Sequence, residues 1–199
     1  LHTSGDWKKR VLYALNKAQN SGRDDQEYLN HLFYALAFTG ISSMVKNALM
    51  AMPAVALSPS ISYLESYCHC LVVKTFYSAT VLGQPIKDSP GILPPDSLII
   101  SDIARAQDLA RYLKLELNEM CYNFILLALA RSRNFKEFEK QVEWLNSRNI
   151  SLNTFGYIGQ IMSTMYNSKL SVDDKLTRIE QLHQLALQTS PPTRVSLFF

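Results

Sequence analysis

Three consecutive residues, Cys68-His69-Cys70, bring together side-chain types that hold zinc. They lie inside an apolar run with helical spacing, where successive side chains point to different faces. The triplet therefore reads as core or surface rather than as a metal site. Cys121 is the third and last cysteine, too few for a disulfide framework, which suggests a reducing compartment. No nucleophile elbow and no glycine-rich phosphate loop is present in the sequence. His31, His69 and His183 fall in separate helical segments, and Asp173-Asp174 open another, where acids suit the positive end of the helix dipole. These residues predict a protein that is not an enzyme and carries no metal or cofactor. The densest basic cluster is "RSRNFK", which makes Arg131, Arg133 and Lys136 candidates for contact with phosphate.

Charge sets loose bounds on the partners of such a cluster. In 199 residues, 20 Lys+Arg face 17 Asp+Glu, a formal net charge of +3. A surface that neutralises many phosphates usually shows a heavier bias, although a local basic stripe fits inside this average. No apolar run reaches the roughly 18 residues of a membrane span without a charged or polar interruption. The sequence opens on Leu1 with no methionine and no targeting segment, and so reads as a processed chain or a portion of a longer one.

The elements that must position these residues are helices. In "DWKKRVLYALNKAQ" the apolar residues Trp7, Val11, Leu12, Ala14 and Leu15 recur at the spacing of one helix face. The same test predicts helices over 6–20, 26–39, 42–52, 61–82, 97–114, 119–132, 135–148 and 154–167, with a last one near 172–188. Short connectors make sequential helices antiparallel neighbours. Gly83 to Ser97 carries four of the eight prolines and is predicted to be a surface insertion.

Aligning connectors exposes a period. Gly5 and Gly40, Asp25 and Ser60, and Asn118 and Asn153 are each 35 positions apart. The chain divides into 1–25, the second helix of a truncated repeat; 26–60; 61–118, with the Pro-rich insertion at 83–97; 119–153; 154–190; and a tail, 191–199. Helix-turn-helix units of about 35 residues cannot bury their apolar faces alone, which predicts an all-α fold, an α-solenoid of stacked hairpins. Asn118 and Asn153 each precede a predicted helix and can serve as N-caps.

Glu119 to Asn153 resembles a pentatricopeptide repeat along its whole length. The likeness rests on Tyr122-Asn123 at the helix start, Ala128 and Ala130 within it, Leu145 late in the second helix and the Asn149-Ile150 turn. Gln26 to Ser60 is similar, with Gly40 at the inter-helix turn, Met52 and Pro59. Tetratricopeptide repeats have a period of about 34 and a bulky signature that is absent here. The resemblance implies RNA work in an organelle, mitochondrion or, alternatively, plastid, with each unit reading one base through the fifth residue of its first helix and its last residue. Those positions are Asn30 with Ser60, Glu65 with Asn118, Asn123 with Asn153, and Ile158. Asn30, Ser60, Asn118, Asn123 and Asn153 are the candidate base contacts, since amides and hydroxyls both donate and accept. Glu65 and Ile158 depart from the pattern. The expected partners are single-stranded or ribosomal RNA and protein subunits of a large organellar assembly such as a mitochondrial ribosome. The alternative is a helical-repeat scaffold with no sequence-specific readout.

Overall fold

A computed structural model describes residues 6–20, 26–80 and 96–189. The fold is all-α, with no strand among the described residues. The helices are α1 (Asp6–Asn20), α2 (Gln26–Ala37), α3 (Ser42–Ala51), α4 (Ile61–Thr80), α5 (Asp96–Leu113), α6 (Glu119–Arg131), α7 (Phe135–Ser147), α8 (Thr154–Tyr166) and α9 (Val172–Gln188). A single 3-10 turn, Pro53–Val55, follows α3. The predicted insertion falls almost entirely outside the described residues. Its last two positions, Asp96 and Ser97, already belong to α5. Gly5, Asp25 and the 191–199 tail also lie outside them.

The helices pair as α2–α3, α4–α5, α6–α7 and α8–α9. Across these hairpins, α2 packs on α4, α4 on α6 and α6 on α8, so the first helices form one continuous layer. Burial follows from this order. Helix α6, with a neighbour on either side, buries Phe124 to Ala130 without a break. It therefore needs the all-round apolar sequence it has. Helix α7 packs chiefly on α6, and it buries just Phe138 and Leu145.

One closure repeats in hydrogen-bond detail, at Ala56, Lys114 and Asn149 and again at the α6–α7 turn, where Arg133 has φ of 58° and the Asn134 N–H bonds to the Leu129 carbonyl. Ala56, Lys114 and Asn149 adopt left-handed backbone, with φ of 53°, 54° and 53°. In each case the next residue's N–H bonds five residues back: Leu57 to the Met52 carbonyl, Leu115 to Ala110 and Ile150 to Leu145. This closure satisfies carbonyls that a helix end otherwise leaves unpaired. The closures at Ala56, Lys114 and Asn149 fall four residues before Ser60, Asn118 and Asn153, the last residues of the units read from sequence, and the one at Arg133 falls between the two helices of a unit.

A row of rings runs through the layer of first helices. Tyr34 of α2 stacks on His69 of α4 at 5.7 Å, His69 on Phe124 of α6 at 5.0 Å, and Phe124 meets Phe155 of α8 at 4.9 Å. A buried carboxylate ties α3, α4 and α5 together. Asp102 accepts from Lys74 Nζ at 2.6 Å, Arg105 at 2.7 Å and Ser42 Oγ at 3.2 Å.

Candidate nucleic-acid interface

The polar positions expected to read bases have hydrogen-bond partners within the protein. Asn30 Oδ1 accepts from Ser62 Oγ at 3.0 Å and from Gln26 Nε2 at 3.2 Å. Ser62 Oγ lies 3.0 Å from Ser60 Oγ, so one hydroxyl links Asn30 to Ser60. At the next boundary Asn118 Nδ2 donates to Glu65 Oε1 at 2.7 Å. An acid at position 65 thus has a partner inside the protein.

The third boundary is the most enclosed. Asn123 is fully buried. Its Nδ2 donates to the Glu119 carbonyl at 2.8 Å and the Ser151 carbonyl at 3.3 Å, and its Oδ1 accepts from the Asn153 N–H at 3.0 Å. Buried amides are costly unless bonded, and this one is used on both sides. Gly156 makes room for it, because a Cβ there would stand 2.2 Å from Asn123 Oδ1. Asn153 is buried too; its Oδ1 accepts from the Phe155 N–H at 2.9 Å, capping α8, and its Nδ2 lies 3.6 Å from Met120 Sδ. Asn118 caps α6 through the Cys121 N–H at 3.0 Å. Ile158, half-buried, packs against the apolar core.

The three phosphate candidates do not converge. Arg131, at the end of α6, turns toward α4 and donates from Nε to Thr75 Oγ1 at 2.9 Å. Burial lowers its pKa. Arg133 turns the other way, its guanidinium 4.7 Å from the Tyr166 ring of α8. Lys136 is exposed in the first turn of α7. Lys74, a further cation on a first helix, is held by Asp102. Arg131, Arg133 and Lys74 are held by different helices and share none of these partners.

The Cys68-His69-Cys70 triplet splits as its helical spacing requires, and no cluster of three metal-ligand types exists among the described residues. Cys68 is fully buried against Cys121, whose hydrogen bond, with burial, pushes the Cys68 thiol pKa up. Burial pushes Cys70 up to about 12. His69 is enclosed by Tyr34, Phe124 and the edge of Phe38, and burial lowers its pKa to about 4. Its Nδ1 is buried without a hydrogen-bond partner. Thiols and an imidazole in these states are neutral packing groups at neutral pH.

Sequence reasoning missed Ser62, Gly156 and the Lys74–Asp102 pair. Gly156 carries a signal: a glycine in the first turn of a helix costs about 1 kcal/mol relative to alanine and calls for a steric reason. Among the described residues no helix is long and apolar enough to cross a membrane. No family model, no curated protein and no solved structure matches this chain.

Proposed function

We propose that the chain is part of an α-solenoid of pentatricopeptide-like hairpins that works as a docking scaffold in an organellar ribonucleoprotein, such as a mitochondrial ribosome. Its partners in this reading are protein subunits and RNA backbone, in the mitochondrion or alternatively the plastid. The observation that carries the reading is the state of Asn123. In the hairpin most like a pentatricopeptide repeat, the residue that would read a base is buried, with both amide atoms bonded within the protein. A base edge reaching it would first have to break those bonds. The matching closures at three unit ends support the repeat architecture. The modest net charge and the divergent Arg131 and Arg133 support weak, salt-dependent contact with phosphates.

Sequence readout draws support from Asn30 with Ser60, which are half-buried as Glu65 and Asn118 are, and are both of types that read a base edge. Fluorescence anisotropy with short pyrimidine-rich and purine-rich RNAs separates the two readings. The scaffold reading expects affinities within about threefold of each other, both falling steeply with salt. A preference above about tenfold, lost in the Asn30→Ala with Ser60→Ala variant, would establish a base reader.

A further inference from the structure

Helix α9 has two apolar faces. Leu182 and Ala186 are buried against the rest of the fold. The second face is formed by Val172, Leu176, Ile179, His183 and Leu187, spaced four, three, four and four residues apart. At 3.6 residues per turn these five fall within a sector of about 80°, and no other residue of the helix shares it. This is the seam pattern of a helix that packs along another helix. It lies open: Val172 is 71 % exposed, Leu176 61 % and Leu187 66 %. One flank of the stripe adjoins the buried face, and the other carries the exposed acids Asp173 and Glu180.

Helix α8, beside it, makes the same point. Among the described residues it is the last in the row of first helices, and its sequence, TFGYIGQIMSTMY, contains no charged residue. A helix of a stack that has no further helix on it among the described residues ordinarily needs a polar outer face. Phe155, Gly156 and Gly159 lie against α6 and α7. Ile161 and Met165 lie round the other side of α8, half-buried and 55 % exposed. The molecule displays what covers such a face, because α2, α4 and α6 are each covered by a further helix, α4, α6 and α8 respectively.

We propose that the outer face of α8–α9 docks an amphipathic helix of a partner protein, one with an aliphatic stripe and basic residues along the rim that meets Asp173 and Glu180. The aliphatic stripe would continue the apolar layer of the array, and the acidic rim would select a basic partner and fix its orientation. This proposal rests on the scaffold reading and names the surface that reading needs.

The test uses the full chain and a synthetic three-heptad peptide with Leu at the seam positions and Lys along both rims. Its counterpart carries Glu along the rims. Anisotropy titration should show the Lys peptide binding and the Glu peptide binding at least about tenfold more weakly. Leu176→Gln with Leu187→Gln should abolish binding and leave the thermal melt of the chain unchanged, since both side chains are exposed. No binding of the Lys peptide, or equal binding by the variant, overturns the proposal. So does a chain that sediments as a dimer and becomes monomeric in the variant, which assigns the face to a second copy. Binding seen only after removal of residues 190–199 assigns it to the chain's own terminus and equally overturns it. Loss of peptide binding with RNA affinities still indifferent to sequence would sink this surface and leave the scaffold reading standing.

Discussion

A Cβ on Gly156 would stand 2.2 Å from Asn123 Oδ1 and 3.0 Å from Leu152 Cδ2, closer than atoms approach without something moving. Gly156→Ala, which would stabilise an ordinary helix, should here destabilise the protein by about 2 kcal/mol. Asn123→Ala removes the acceptor of the Asn153 N–H and a donor to two carbonyls, and should cost about 3 kcal/mol. Because both effects run through one contact, the double variant should fall short of their sum by at least about 1 kcal/mol, as read from denaturant unfolding. Strict additivity would mean that the two residues do not share a space. His69 gives a pH dependence of its own. Its folded pKa of about 4 lies below the ordinary 6.5, so the unfolded chain binds the proton more readily. Stability is then greatest above pH 6.5, falls as pH drops through the window down to about 4, and loses at most about 3 kcal/mol from this group. His69→Phe should flatten that part of the profile, measured as unfolding free energy against pH. A variant with the wild-type slope would place the titration on another group.

At the scale of elements, one buried carboxylate joins helices of two hairpins. The α3, α4 and α5 junction depends on Asp102, whose carboxylate is 2 % exposed and bonded to two cations and a hydroxyl. Asp102→Ala strands Lys74, whose side chain is 27 % exposed, and should cost about 3 kcal/mol in thermal or denaturant unfolding. A loss under about 0.5 kcal/mol would reduce the cluster to surface decoration. Much of this level is legible in the sequence, for physical reasons. Apolar spacing places α6 to α9 within a residue or so of their bounds, and Asn118 and Asn153 announce the caps they form. The turn chemistry repeats as Lys114-Leu115 and Asn149-Ile150, visible once the period is known. What sequence could not settle is which way an amide points. Asn30, Asn118, Asn123 and Asn153 look alike as letters, but only packing decides that Asn123 faces a unit boundary. The Asp102 cluster was hidden for a related reason: Ser42 and Lys74 are 60 and 28 positions from Asp102, and no local period links them to it.

At the scale of the whole molecule, among the described residues, a helix covered on two sides resists opening more than one covered on a single side. Helix α6 sits between α4 and α8, and its residues from Phe124 to Ala130 are buried without a break. Helix α9 has one main neighbour, α8, and buries two residues, Leu182 and Ala186. Local opening of α9 therefore exposes little apolar surface, whereas opening α6 requires the first-helix layer to part on both sides. Native-state hydrogen exchange should find the central amides of α9 opening with about 3 kcal/mol less protection than those of α6, roughly a hundredfold faster exchange. Uniform protection along the chain would mean a single cooperative unit and would remove the basis for treating α8–α9 as an edge. The same measurement bears on docking, because a helix lying on the Val172–Leu187 stripe adds a neighbour that α9 does not have among the described residues. With the Lys-rimmed peptide bound, protection should rise across α8 and α9 and stay where it was in α6. A rise confined to α6 would put the contact on a different face of the array.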